Sequence, residues 1–86
     1  MCRLLFDKRV FKELDEIPDA DAARIQGRFQ ELGQTPLPMG CQKLAGGSGM
    51  YRIRQGNYRI LYTVDNAKRE VRVYHVGHRK DVYRSS

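Results

Sequence analysis

The sequence predicts an α+β domain: an N-terminal strand and an αα-hairpin packed on one face of a mainly antiparallel sheet of four strands. Three observations predict it. Apolar residues recur at helical spacing in two consecutive segments, first Val10, Phe11, Leu14 and Ile17, then Ala22, Ile25, Phe29 and Leu32. Met50 to Val64 alternates apolar and polar residues around Gly56-Asn57, the mark of a β-hairpin. Val71 to Val76 supplies another strand after the polar turn Asp65–Glu70.

The chain has 86 residues, 41% hydrophobic and 30% charged. That suits a single domain, 1–86, whose modest core needs no disulfide framework. Cys2-Arg3-Leu4-Leu5-Phe6 is apolar enough for the first strand. Asp7 is placed to cap a helix over Lys8 to Ile17, and Pro18 ends it. Asp19 or Asp21 caps the second helix, and Gly33 is its expected C-terminal stop. Two helices so close in sequence form an antiparallel hairpin whose apolar stripes need a sheet to cover. Gln34 to Gly49 holds Pro36, Pro38, Gly40, Gly46, Gly47 and Gly49 and reads as a long loop anchored by Leu44. Gly46-Gly47-Ser48-Gly49 is no phosphate cradle of the P-loop kind, because it lacks the Lys-Ser/Thr pair and leads into a strand.

A two-residue turn at Gly56-Asn57 sets the hairpin register: Gln55 faces Tyr58, Arg54 faces Arg59, Ile53 faces Ile60, Arg52 faces Leu61, Tyr51 faces Tyr62. Side chains alternate across a strand, so Tyr51, Ile53, Ile60, Tyr62 and Val64 share a core face. Arg52, Arg54 and Arg59 share the other. Two arginines directly opposite each other destabilise a sheet, and folding alone gives no reason for them. An anion would. Pairing Asp65 with Glu70 puts Val71 and Val73 on the core face, with His75 there too, opposite Ile60. It puts Tyr74 and Val76 beside Leu61 and Arg59 on the open face. Gly77 ends the strand, and residues 78–84 return as a turn near Arg54 and Arg59.

The net charge of +6 is unevenly placed. Residues 1–34 hold six Lys/Arg and seven Asp/Glu, whereas residues 35–86 hold ten Lys/Arg and three Asp/Glu. A basic sheet half points to a polyanionic partner such as nucleic acid, with plain solubility charge as the alternative. No run approaches the roughly 20 apolar residues of a membrane span, and the N-terminus lacks the pattern of a secretory signal. Cys2 and Cys41 read as a reduced pair, and a cytoplasmic location follows from that reading. No Cys/His cluster has metal-ligand spacing, and no cofactor is implied.

The constellation with chemical potential is Arg52, Arg54 and Arg59, with His78, Arg79 and Tyr83 delivered to its edge. Arginine binds phosphate bidentately and stays charged at any physiological pH. Several converging guanidinium groups hold a backbone phosphate and stabilise extra negative charge in a transition state. Tyr83 and Tyr74 are placed to stack on unpaired bases. The alternative for the same residues is a solvated basic face with Tyr83 closing the C-terminus. His78 has the alternative of a polar turn residue, and His75 that of a satisfied core histidine.

Three motifs occur together: Tyr51-Arg52-Ile53-Arg54, Asn57-Tyr58-Arg59-Ile60-Leu61-Tyr62, and Val76-Gly77-His78-Arg79-Lys80-Asp81-Val82-Tyr83-Arg84. With the strand, helical hairpin and Lys43-Leu44 loop before them, the chain resembles the RelE toxins of the RelE/ParE superfamily over nearly its whole length. The resemblance implies the toxin of a type II toxin–antitoxin pair, which enters the ribosomal A site and cuts mRNA with a neighbouring 2′-hydroxyl as nucleophile. Its partners would be a RelB-like antitoxin, the ribosome and mRNA, with operator DNA reached only through the antitoxin. By the same resemblance, Arg52 and Arg54 stand where the prototype has two lysines. Arg59 stands on its phosphate-stabilising arginine, Arg79 on the arginine at the leaving group, and Tyr83 on its catalytic tyrosine. Lys43, Tyr74, Lys80 and Arg84 are expected to contact RNA. Unlike lysine, arginine cannot serve as a base, so proton abstraction falls to Tyr83, or to His78 as runner-up. Two other functions share this fold: a ParE-like gyrase poison without ribonuclease activity, and an attenuated toxin acting mainly as co-repressor.

Overall fold

The computed structural model describes residues 2–44 and 49–78. Its elements are β1 (Arg3–Phe6), α1 (Lys8–Asp15), α2 (Asp19–Gln34), β2 (Gln42–Lys43), β3 (Met50–Gln55), β4 (Tyr58–Asp65) and β5 (Glu70–His78). They form one sheet in the order β1-β5-β4-β3-β2, with β1 parallel to β5 and the other pairs antiparallel. The expected fold class holds, with one strand more. Gln42 and Lys43 pair with Arg52 and Tyr51 inside what the Pro/Gly-rich sequence marks as loop. Two residues carry no periodicity, and backbone pairing to the β3 edge is what makes them a strand.

The hairpin register is the one the turn dictates, from Tyr51↔Tyr62 through Gln55↔Tyr58. Gly56 takes φ +60°, and Asn57 does not follow it, since Arg69 is the only non-glycine with positive φ among the described residues. A positive φ at the first central position alone is the type II′ pattern, which matches strand twist.

Both helices pack on the core face. Val10, Ile17, Ile25, Phe29 and Leu32 meet Ile53, Ile60, Tyr62, Val71, Val73 and Val76 in the buried cluster. Asp7 caps α1 by accepting from the Arg9 N–H at 3.1 Å. Phe11, read as core, is 60% exposed. It lies one residue round from Val10, outside the arc facing the sheet, and its ring only leans on Phe6 at 5.9 Å. Pro18 stands at the N-cap of α2, which has no side-chain cap from Asp19 or Asp21. Gly33 does not stop α2 but lies within it. A Cβ there would meet Leu4 Cγ at 3.3 Å, and the Gly33 carbonyl accepts from the Cys2 N–H at 2.6 Å. Close approach of helix to strand, not chain reversal, is what that glycine permits.

The sheet departs from expectation on β5. Asp65↔Glu70, Val64↔Val71 and Tyr62↔Val73 pair as read, but a β-bulge then shifts the register so that Leu61 faces His75, Ile60 faces Val76 and Arg59 faces Gly77. Val76 is therefore buried in the core rather than on the open face, and His75 does not oppose Ile60. One extra residue reverses the side-chain parity beyond it. The bulge thus buries a valine where strict alternation would bury an imidazole. β1 ends opposite Val73, so the outer edge of β5 is then open. There α1 closes it: Glu13 accepts from the Val76 N–H at 2.9 Å and contacts His75 Nδ1.

Candidate nucleic-acid interface

The site follows from the two strands that carry it. Because β3 and β4 each bury alternate residues against the helices, the intervening positions are committed to the opposite face. Arg52, Arg54 and Arg59 all fall there, and Arg54 and Arg59 are direct cross-strand partners. Their environments differ. Arg54 is exposed, Arg52 is half-buried, and Arg59 is only 2% exposed, the sole charged residue in the buried set among the described residues. Guanidinium cannot shed its charge, so Arg59 brings a permanent positive charge into a partly desolvated position. Interactions with anions are stronger there than in bulk water.

Arg52 donates from Nη2 to Gln42 Oε1, which ties β3 to β2 and orients the guanidinium. Beyond β2 the β3 edge has no strand partner among the described residues, and a cleft of about 350 Å³ lies there, lined by Arg28, Met39, Gly40, Gln42, Arg52, Ile53 and Arg54. Arg28 is a residue that sequence reasoning missed. It projects from α2 towards the β3 edge, donating from Nε to Gln55 Oε1 at 2.9 Å and pairing through Nη1 with Glu31 at 3.1 Å. Nothing in its spacing distinguishes it from other polar residues beside the Ile25/Phe29/Leu32 stripe, because its role depends on how closely α2 approaches β3.

The remaining positions separate. Tyr74 sits at the bulge and lines a second hollow on the arginine face with Arg9, Met50, Leu61 and His75. His78 pairs with Tyr58, on the other side-chain parity from Arg59, and its ring meets Tyr58 edge-on at 5.6 Å. Lys43 is exposed opposite Tyr51, likewise out of phase with Arg52. Arg79, Lys80, Tyr83 and Arg84 lie outside the described residues, as do Gly46, Gly47 and Ser48 of the glycine-rich loop. Among the described residues no three His, Cys, Asp or Glu side chains are gathered as metal ligands. No helix among them is long and apolar enough to cross a membrane.

Behind the site Tyr62 holds the 36–42 loop. Fully buried and stacked on Tyr51 at 5.8 Å, it donates from its hydroxyl to the Pro36 carbonyl at 2.8 Å. Burial, followed by the neighbouring Cys41 thiol and Tyr51, pushes its phenol well above the usual range. It is a protonated structural donor, not a base.

A family model described as the ParE toxin of the type II toxin–antitoxin system parDE matches residues 4–83, nearly the whole chain. The chain belongs to the RelE/ParE family of type II toxins. Toxin RelG of Mycobacterium tuberculosis is 35% identical over 63 residues, covering 73% of this chain and 72% of RelG. Among solved structures, the toxin resembles the archaeal RelE–RelB complex from Pyrococcus horikoshii, with TM-score 0.81 and 28% identity over 91% of this chain and 94% of that one. It also resembles the intact Escherichia coli RelBE toxin–antitoxin complex, with TM-score 0.78 and 28% identity over 91% of this chain and 96% of that one.

Proposed function

We propose that this toxin is a ribosome-dependent mRNA endoribonuclease that cuts in the A site. The observation that carries the reading is the convergence of Arg52, Arg54 and Arg59 on one sheet face, with Arg54 and Arg59 directly opposed and Arg59 buried. A fold stabilised only for its own sake would not retain that arrangement. In the reaction the 2′-oxygen of one nucleotide attacks the adjacent phosphorus, the bond to the 5′-oxygen breaks, and a 2′,3′-cyclic phosphate remains. Arg59 holds the non-bridging oxygens, where charge builds up in the transition state. Arg52 and Arg54 add to that field and bind the flanking backbone. Tyr83 takes the proton of the 2′-hydroxyl, Arg79 stabilises the leaving 5′-oxygen, and His78 is the alternative acid or base. Lys43, Lys80 and Arg84 supply outer contacts to RNA phosphates.

Four arginines and a tyrosine read little base sequence, so free RNA is a poor substrate and the ribosome must position the message. The partner that silences the toxin is a RelB-like antitoxin, as in the solved complexes it resembles. Operator DNA is reached only through that antitoxin, and the site of action is the cytoplasm. A gyrase poison is the second reading, favoured by the ParE description of the matching family model.

Primer extension on mRNA, with and without translating ribosomes, tests the choice. The expected result is A-site cuts that require ribosomes and disappear with Arg59→Ala. Growth arrest with intact mRNA and altered DNA topology would place the toxin among gyrase poisons and leave the arginine face as an antitoxin-docking surface.

A further inference from the structure

The bulge in β5 does more than bury Val76. By inserting one residue opposite Leu61 and Tyr62, it sets Tyr74 and His75 side by side at a hollow of about 190 Å³ that Leu61, Met50 and Arg9 complete. Its lining thus combines two flexible apolar side chains, two flat rings and one guanidinium. Leu61 is the cross-strand partner of Arg52 and lies two residues from Arg59 on the same face. Two residues along a strand span roughly 6.7 Å, about the reach from a backbone phosphate to its base. The hollow and the arginines therefore form one continuous surface, apolar at one end and cationic at the other. Single-stranded nucleic acid is bound by that combination of a basic track and a sequence-tolerant aromatic platform.

We propose that this hollow takes one unpaired nucleobase of the RNA strand whose phosphate lies on Arg52, Arg54 and Arg59. The base lies against Leu61 and Met50 with Tyr74 and His75 beside it, and Arg9 faces its polar edge or the next phosphate. A larger hollow on the helix side of the sheet, lined by Leu4, Phe6, Phe11, Leu14 and Phe29 with Gln26 and Gln30, has no cationic side chain in its lining. The inference rests on reading the arginine face as an RNA site, and it assigns Tyr74 and Leu61 as the residues that set base preference at one codon position.

The test is titration of the isolated toxin, followed by NMR, with inorganic phosphate, ribose 5-phosphate and the four nucleoside 3′-monophosphates. At least one nucleotide is expected to bind about tenfold more tightly than ribose 5-phosphate. Tyr74→Ala and Leu61→Gln should bring that ratio near one while phosphate affinity stays within about twofold. Tyr74→Phe should restore the ratio, which a folding defect would not. Phosphate binding that persists with no preference for a base, or a preference untouched in Tyr74→Ala and Leu61→Gln, overturns the proposal. So does an unchanged preference accompanied by weakened antitoxin binding, which would make the hollow an antitoxin pocket. If base-dependent binding survives while phosphate binding is absent, the arginine face fails and the hollow stands. Absence of both overturns both.

Discussion

Replacing Arg54 with glutamine should make the free toxin more stable and less active at once. Arg54 and Arg59 face each other across the hairpin, Arg54 in solvent and Arg59 almost fully enclosed. Directly opposed residues have Cβ atoms roughly 5 Å apart, and like charges there cost about 0.2–1 kcal/mol. Coulomb's law agrees: two unit charges about 7 Å apart repel by roughly 0.6 kcal/mol in water, and by more where the neighbouring protein displaces solvent. Glutamine keeps much of the aliphatic stem and removes the charge, so Arg54→Gln should stabilise by about 0.5–1 kcal/mol at low salt. For a domain of this size that is a rise of roughly 2–8 °C in melting temperature. The gain should shrink towards zero near 1 M salt, where the screening length is only about 3 Å. Inorganic phosphate should stabilise the wild type more than the variant, because the anion offsets repulsion only where both guanidinium groups are present. Thermal melts across a salt series measure the effect, and primer extension on the same variant should show cleavage reduced at least tenfold. A variant less stable than wild type at low salt, or a difference indifferent to salt, would refute the claim that the opposition of Arg54 and Arg59 costs the fold stability.

Two further substitutions probe the supports of the site. Glu13→Ala removes the acceptor of the Val76 N–H and the contact to His75, which should cost about 1–3 kcal/mol and speed hydrogen exchange at the Val76 amide. Glu13→Gln keeps an acceptor oxygen and should cost less. Tyr62→Phe should lose about 1 kcal/mol in urea unfolding near pH 8 through the missing bond to the Pro36 carbonyl. Burial raises the Tyr62 phenol above its unfolded value of about 10, so folding favours its protonated form. That contribution is whole below pH about 10 and is lost as pH climbs towards the folded value, so the alkaline decline should be shallower in Tyr62→Phe.

Much of this protein is local in origin. The helical stripes, the Asp7 cap and the hairpin centred on Gly56 each follow from residues a few positions apart, since side-chain period and turn geometry are short-range properties. The opposition of Arg54 and Arg59 follows as well, because a two-residue turn leaves no freedom in the register. The motifs around Tyr51, Arg59 and Gly77-His78-Arg79 were enough to indicate the family. What only tertiary structure decided lies where the chain meets distant segments. Whether His75 or Val76 is buried depended on a bulge at Tyr74, which alternation within β5 does not encode. The bulge lies where β1 ends at Phe6 and Glu13 takes over the open edge. Gly33 looked like a helix stop because its actual constraint, the Leu4 side chain, is far away in sequence. Gln42-Lys43 became a strand only because β3 offered an edge, and Arg28 joined the cleft only because α2 crosses close to Gln55. Periodicity reports which face a residue takes. Which residues share a cleft is decided by packing between elements that the chain brings together from opposite ends.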